Sequence, residues 1–203
     1  VLVAIHDDTV DRTTNGSGAV RDLTLAELKA LDAGYHFTPD GGQTYPYRGM
    51  GLTIPTVEEI FAAFPEAYYL IEIKQSEPLI VEDLIAAMTE HGVRERVLLA
   101  SFDDEPMLAA RALAPDVLTS MSASEMVELF NNMENPEYTP PARYAQPPWE
   151  LALPEVVEFA HALGVKVQPW TVNNAKVMQD LLALEVDGIM TDDPALLAMI
   201  VPP

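Results

Sequence analysis

The chain of 203 residues contains no cysteine. This absence excludes disulfide bonds, zinc sites built on thiolates and cysteine nucleophiles. A metal site in this protein must therefore use other ligands, and cysteine usage carries no information about the cellular compartment.

Positively charged residues are scarce. The chain has 11 lysines and arginines against 32 aspartates and glutamates, which gives a formal charge of -21. Such a surface repels phosphate backbones, so nucleic acid is excluded as a partner. Three sources of the acidic excess stay open, which are solubility, adaptation to salt and the mutually repelling carboxylates of a metal site.

Long apolar runs are also missing, as is a basic and then apolar leader. A membrane-spanning helix needs about 20 consecutive apolar residues, so we expect no stable membrane insertion. We expect a cytoplasmic rather than a periplasmic location. Nothing in the pattern specifies the oligomeric state.

Short apolar runs alternate with amphipathic helical patterns along the chain. The later runs recur after about 20 to 30 residues, which is the length of one βα unit. Because the runs are apolar throughout, we expect parallel strands that are covered on both faces. The runs comprise residues 2–5, 69–73, 97–101, 117–121, 143–145, 165–170 and 188–190.

Helix boundaries are marked between these runs. Thr24 and Thr56 each precede a glutamate by three residues, which is the capping-box pattern of a helix start. Gly92 and Gly164 end two further amphipathic stretches, as C-terminal caps do. No G-x-G-x-x-G follows the first run, which disfavours a dinucleotide-binding fold.

Polar side chains follow nearly every apolar run. Barrel enzymes collect their site from the C-terminal ends of all strands, whereas a doubly wound sheet uses one or two strand ends. The pattern therefore favours an α/β protein with a closed parallel barrel, in one domain over residues 1–203. The polar groups are His6-Asp7, Glu72-Lys74, Ser101-Phe102, Ser120, Gln146, Trp170-Thr171-Asn173 and Thr191-Asp192.

Residues 34–53 interrupt this rhythm with many glycines and aromatics and no clear period. Long irregular segments in compact domains are usually functional or disordered, and the aromatics argue against disorder. We expect an ordered flap over the mouth of the barrel. Within it, Arg48 has two equal alternatives, an anionic headgroup or phosphate on the substrate, or a surface carboxylate.

His6 is the best acid or base in the sequence. It follows a strand, where packing needs no imidazole, and Asp7 stands beside it. The alternative is a loop histidine satisfied by backbone groups. For Arg12 we favour a structural role, in which it pairs with Asp8 or Asp11 to hold the turn, over contact with a phosphate.

Glu72 and Lys74 are one residue apart, so their side chains leave the same face of a strand. Two charges on a buried strand are costly unless they pair or hold a ligand. A carboxylate for a hard divalent cation and an ammonium for a phosphate oxygen account for both residues. The alternative is an internal salt bridge.

The remaining polar groups belong to the rim of the expected barrel. Trp170 is either a core residue or an apolar wall for a polyol. Gln146, Asn173 and Asp192 are supporting groups behind or beside the site, while Asp193 is suited to cap the next helix.

Several motifs in series resemble the glycerophosphodiester phosphodiesterase family, in the family's order and over nearly the whole chain. The resemblance implies a (β/α)8 TIM barrel that hydrolyses small-molecule glycerophosphodiesters to glycerol 3-phosphate and an alcohol, with one divalent cation, Mg²⁺ or Ca²⁺. The motifs are "HDDTVDRTTNGSGAVRDLTLAELKALDAG", "IPTVEEI", "LIEIK", "ASFD", "PWTVN" and "DGIMTDDP".

The same resemblance assigns roles to individual residues. It implies proton transfer by His6, metal ligation by Glu72, a position near the phosphate for Lys74 and a wall of the glycerol pocket for Trp170. Residues 34–53 are similar to the insertion that the family carries.

The family's H-R-G motif does not occur in residues 1–203, and no E-x-D pair lies ahead of His6, where the family carries one. We therefore expect a barrel that lacks its N-terminal strands and first helix in this chain, and activity only when that segment is present. Two alternatives are a phosphodiester lyase like the sphingomyelinases D, which are disulfide-bearing toxins, and a non-catalytic phosphodiester-binding relative.

Overall fold

A computed structural model of the chain describes residues 1–135 and 137–201. Their contacts form two compact units. The first unit comprises Val1–Tyr68 and Lys74–Arg96, and the second comprises Tyr69–Ile73 and Val97–Pro203. No helix in the described ranges is long and apolar enough to cross a membrane.

The helices of the first unit begin where the sequence predicts. The side chain of Thr24 accepts a hydrogen bond from the backbone N–H of Glu27, whose carboxylate accepts from the Thr24 N–H in return. Thr56 opens the next helix in the same way. The bounds are α1 Leu25–Ala30, α2 Val57–Ala63 and α3 Val81–Glu90, with 3-10 turns at Val20–Asp22 and Arg94–Arg96.

The prediction of a parallel strand over residues 2–5 is wrong for the described chain. Val3 makes one antiparallel bridge with Thr56, and Ala4 N–H donates to the carbonyl of Pro55 at 3.0 Å. The segment is apolar because it packs against a small buried cluster, in which Val10 and Ile54 are central. A buried parallel strand and an irregular segment that packs on a core have the same apolar composition, so the sequence pattern alone did not distinguish the two structures.

The second unit carries the β-structure, in alternation with helices. This alternation confirms the α/β class. The strands are β1 Tyr69–Glu72, β2 Val97–Ala100, β3 Leu118–Thr119, β4 Tyr144–Ala145 and β5 Lys166–Val167. The helices are α4 Asp104–Leu113, α5 Ala123–Asn131, α6 Pro154–Ala162, α7 Ala175–Ala183 and α8 Pro194–Ile200, with a 3-10 turn at Trp149–Leu151.

The strands of the second unit neighbour one another in chain order and are parallel. β1 pairs with β2, β2 with β3, and β4 with β5, while a parallel bridge between Ser120 and Tyr144 continues the series from β3 to β4. The run at 188–190 follows on, because Met190 N–H donates to the carbonyl of Pro169 at 3.0 Å. This order is that of a βα barrel, since a doubly wound sheet reverses direction at its switch point.

The two faces of these strands are covered unequally, which corrects the expectation of burial on both faces. Ala145 and Val167 lie in a buried cluster with residues of the surrounding helices. On the opposite face, the strand register aligns Leu70, Leu98 and Leu118. Leu70 is 43% exposed and Leu118 is 44% exposed, because the helices of this unit cover the other face.

Arg111 on α4 ties the helices to the sheet. Its guanidinium donates to both carboxylate oxygens of Glu125, at 2.5 and 2.8 Å, and to the hydroxyl of Thr119 at 3.0 Å. Burial, the largest single influence, raises the pKa of Glu125. The hydrogen bonds from Arg111 and from the Ser122 backbone, together with the Arg111 charge, outweigh it, so the net pKa is lowered. The pair therefore stabilises the fold above the ordinary glutamate pKa of 4.5 and loses this effect as the pH falls through the lowered value.

Candidate functional site

The first unit brings His6, Asp7 and Arg12 together. His6 Nδ1 lies 2.7 Å from Asp7 Oδ1, and Arg12 donates to the same carboxylate through Nε at 2.6 Å and Nη2 at 2.9 Å. These hydrogen bonds hold the pKa of Asp7 well below its usual range, and the bonds from Arg12 have a larger effect than the bond from His6. The ionised carboxylate only accepts, so the hydrogen lies on His6 Nδ1 and Nε2 is the nitrogen left for a ligand.

The pairing of Arg12 corrects one prediction. Arg12 binds Asp7, whereas Asp8 and Asp11 were the expected partners. The carboxylate of Asp11 instead accepts from the backbone N–H of Gly18 at 2.9 Å. The hairpin formed by the antiparallel bridge between Thr9 and Ala19 turns the chain back, which sequence distance alone did not reveal.

Glu72 is the last residue of β1, at the C-terminal end of the strand, and its side chain is exposed. Lys74 follows two residues later and is also exposed. The premise that these charges lie on a buried face is therefore wrong. Exposure removes the desolvation argument but leaves both groups accessible to an anionic ligand and its cation.

A carboxylate oxygen at a strand end suits a hard divalent cation, and Glu72 meets this requirement. Within residues 1–135 and 137–201, no group of three or more histidines, aspartates or glutamates is arranged to hold a metal ion. The described chain therefore fits the role of one ligand donor and does not by itself complete a metal site.

Trp170 stands at the rim of the second unit and is half-buried. Its Nε1 donates to the carbonyl of Gln146 at 2.7 Å, and its ring meets the edge of Phe102 with centroids 5.7 Å apart. The side chain of Gln146 donates to Gln168 at 3.0 Å. Sequence reasoning did not select Gln168, although its place two residues before Trp170, in the same run of residues 165–170, was the available signal.

Asn173 and Asp192 are joined by hydrogen bonds, while their supporting role in the site stays a prediction. Asn173 Nδ2 donates to the Asp192 carboxylate at 2.7 Å, and Asn173 Oδ1 accepts from the Asp192 N–H at 2.9 Å and from the Thr191 hydroxyl at 3.1 Å. The network ties the loop after Trp170 to the loop after residues 188–190. Asp193 accepts from the Leu196 N–H at 2.9 Å and so caps α8, as predicted.

Residues 34–53 form no helix or strand and are held by their own side chains. Asp40 accepts from the hydroxyl and the backbone N–H of Thr44, and these bonds lower its pKa to about 2. A Cβ on Gly34 would lie 2.6 Å from the carbonyl oxygen of Tyr47, so glycine is required where the segment begins. The segment is therefore shaped locally, while its placement over a barrel mouth stays a prediction.

Arg48 has a contact that neither alternative anticipated. Its guanidinium carbon lies 4.2 Å from the ring centroid of Tyr35 and 3.8 Å from that of Tyr45, and Nε donates to the carbonyl of Tyr35 at 2.8 Å. In the described part of the chain it has no carboxylate partner. The cation is thus stacked within the segment.

The family comparison agrees with the motif order. The glycerophosphoryl diester phosphodiesterase family model matches residues 1–196. The glycerophosphodiester phosphodiesterase of Caldanaerobacter subterraneus subsp. tengcongensis is 36% identical over 206 residues, covering 98% of this chain and 80% of that protein. The glycerophosphodiester phosphodiesterase of Bacillus subtilis is 33% identical, covering 96% of this chain and 70% of its own length.

Solved structures support the fold. The glycerophosphoryl diester phosphodiesterase domain of an uncharacterized Mycobacterium tuberculosis protein superposes with a TM-score of 0.83 at 21% identity, covering 98% of this chain and 81% of that one. An Oleispira antarctica phosphodiesterase, solved with the product sn-glycerol-3-phosphate, has a TM-score of 0.75 at 26% identity. The match covers 98% of this chain and 78% of the Oleispira chain.

These structural relatives are TIM-barrel proteins, which agrees with the parallel, chain-ordered strands of the second unit. The expectation that this chain lacks N-terminal strands of the barrel stays a prediction. The motif resemblance is confirmed by both kinds of comparison. The chain therefore belongs to the glycerophosphoryl diester phosphodiesterase family.

Proposed function

We propose that this protein hydrolyses glycerophosphodiesters to glycerol 3-phosphate and an alcohol. In this reaction a water oxygen bonds to phosphorus, the phosphorus–oxygen bond to the alcohol breaks, and the departing oxygen takes up a proton. The observation that carries the proposal is the accessible imidazole of His6, held at Nδ1 by Asp7, in a chain of this family.

His6 exchanges the proton through Nε2. Its side chain is 76% exposed, so a substrate can reach it without rearrangement of the fold. A positioned imidazole contributes about a hundredfold or more to such a step. The resemblance assigns the second proton-transfer group to the family's H-R-G motif, so assays belong in the full-length natural protein.

Glu72 is one ligand of a divalent cation, Mg²⁺ or Ca²⁺. Its carboxylate supplies the hard oxygen donor that both cations prefer. When bound, the cation would polarise a phosphodiester oxygen and offset negative charge at phosphorus. The remaining protein ligands are those that the resemblance assigns to the E-x-D motif.

The other rim residues bind the substrate. Lys74 neutralises a phosphate oxygen as a point charge, and Trp170 offers an apolar wall to the glycerol carbons. Gln146 holds the indole of Trp170 through its carbonyl, and Asn173 with Asp192 fixes the loop that follows. Glycerol recognition therefore depends on the loops at the ends of the last strands.

Product analysis tests the reaction type. With glycerophosphocholine and a divalent cation, the full-length protein is expected to release glycerol 3-phosphate and choline. Phosphorus NMR identifies the glycerol 3-phosphate, and proton NMR identifies the choline. A cyclic phosphate product would assign the sphingomyelinase D-like lyase instead. No turnover, with retained binding of the diester, would assign the non-catalytic relative.

Residues 34–53 select the alcohol part of the substrate. Phe37, Tyr45 and Tyr47 are exposed and present apolar faces, to which the two tyrosines add polar tips, and this mixture suits contact with varied headgroups. Replacing the segment with a short glycine linker is expected to change the ranking of headgroups by kcat/KM while the metal requirement stays intact, because loops at this rim carry specificity in barrels.

The control for this replacement is conservative. Phe37→Leu keeps an apolar side chain at one exposed position while removing its ring, and it is expected to shift the ranking less than the linker does. The same relative kcat/KM for glycerophosphocholine, glycerophosphoethanolamine and glycerophosphoglycerol after linker replacement would make the segment structural only.

A further inference from the structure

The hairpin that carries Arg12 is held together without it. Val10 N–H donates to the carbonyl of Gly18 at 3.0 Å, and Val20 N–H donates to the carbonyl of Asp8 at 2.9 Å. The side chain of Val10 is fully buried and anchors the turn in the core of the first unit. The shape of the hairpin therefore does not explain why an arginine stands at position 12.

The guanidinium of Arg12 is directed to Asp7. Nε lies 2.6 Å from Oδ2 and Nη2 lies 2.9 Å from Oδ1. Two parallel bonds from a planar guanidinium fix both the position and the plane of a carboxylate. An exposed ion pair contributes little to the free energy of unfolding. The main effect of the Arg12–Asp7 pair is therefore to fix the orientation of the Asp7 carboxylate.

The carboxylate of Asp7, held in this way by Arg12, in turn orients the imidazole of His6. Asp7 Oδ1, which accepts from Arg12 Nη2, also lies 2.7 Å from His6 Nδ1. Asp7 is an ionised acceptor through the neutral range even at the ordinary aspartate pKa of 3.8, and the bonds from Arg12 and His6 lower that pKa further. The orientation of the His6 ring is then set by a group that Arg12 holds in place.

We infer that Arg12 is a positioning residue, which acts through Asp7 to keep the hydrogen on His6 Nδ1 and to present Nε2 to the phosphodiester. The inference rests on the proposed function for its catalytic meaning. Its structural content, the effect of Arg12 on the tautomer of His6, does not depend on that function.

The test uses Arg12→Ala and Arg12→Lys in the full-length protein, with Arg21→Ala as the matched control on an exposed arginine of the same unit. Nitrogen-15 NMR of His6 without substrate reads the tautomer. Arg12→Ala is expected to lose the uniform Nδ1–H tautomer and to lower kcat for glycerophosphocholine about tenfold with little change in KM, because a misplaced group loses its attack geometry. Arg12→Lys keeps the charge but not the planar guanidinium, so it is expected to show a smaller loss of kcat than Arg12→Ala. The control Arg21→Ala is expected to show no loss.

Three results would overturn the inference. One is an unchanged His6 tautomer in Arg12→Ala, and another is a raised KM at unchanged kcat, which would mean that Arg12 contacts the substrate. The third applies if circular dichroism shows that Arg12→Ala does not fold. Arg12→Lys then decides, and a His6 tautomer and a kcat equal to those of the parent protein in Arg12→Lys would overturn the inference. Absence of turnover in the parent protein would defeat the proposed function, while the tautomer measurement would still decide the role of Arg12.

Discussion

Replacing Glu72 by glutamine is expected to lower the affinity for Mg²⁺ or Ca²⁺ and to reduce glycerophosphodiester hydrolysis by at least about a hundredfold. A divalent cation contributes several kcal/mol to a phosphoryl-transfer transition state, and a neutral amide replaces a carboxylate poorly as its ligand. Glu72 ends β1 with an exposed side chain, so the substitution leaves the buried core unchanged. Isothermal calorimetry with the metal alone measures the affinity, and a metal titration of activity measures the dependence.

The matched control is Glu158→Gln, which removes an exposed carboxylate from α6 and changes the net charge equally. It is expected to leave both metal affinity and activity unchanged, because long-range charge effects are screened at physiological salt. Unchanged metal affinity in Glu72→Gln would remove Glu72 from the metal site.

Replacing His6 by alanine is expected to lower kcat by at least about a hundredfold, the usual scale for a general acid or base. His6→Gln is expected to lose as much, because an amide can keep a hydrogen bond to Asp7 but cannot exchange the proton. Steady-state kinetics with glycerophosphocholine separates kcat from KM. A loss confined to KM would mean that His6 binds the substrate without transferring a proton.

The chain offers a close control for this substitution. His161 on α6 is also exposed and also pairs with an aspartate, since its Nε2 lies 2.9 Å from a carboxylate oxygen of Asp187. His161→Ala removes a histidine–aspartate pair of the same kind from a helix and is expected to leave kcat unchanged. A comparable loss of kcat in His161→Ala would show that the effect at His6 is structural.

Helix ends were predictable from the sequence because their interactions are local. The capping boxes at Thr24 and Thr56 join groups three residues apart, and the left-handed glycines at positions 92 and 164, with φ of +66° and +71°, lie just beyond α3 and α6. Such signals need no knowledge of the rest of the chain. The alternation of strand and helix, and hence the α/β class, follows from periodicity in the same way.

The partners of the site residues were not predictable in this way. Arg12 lies in the turn closed by the hydrogen bond from the Thr14 N–H to the Val10 carbonyl and bonds back to Asp7 from there, and Arg48 stacks on two tyrosines because the loop folds on itself. Each pairing is one of several that the sequence allows, since Arg12 has four aspartates within ten residues and Arg48 has several aromatic neighbours. Only folded geometry selects among them.

Residue identity and order by themselves determined the family and the strand-end position of Glu72, and they placed an acid beside His6, because these depend on motifs and on short-range spacing. The tertiary structure decided which face of β1 is open, which carboxylate orients the imidazole, and that residues 2–5 bridge antiparallel to Thr56. The single-domain organisation and the flap position stay predictions. The division has one physical reason: apolar pattern and charge specify what a side chain prefers, whereas burial and pairing depend on which distant groups the folded chain brings near it.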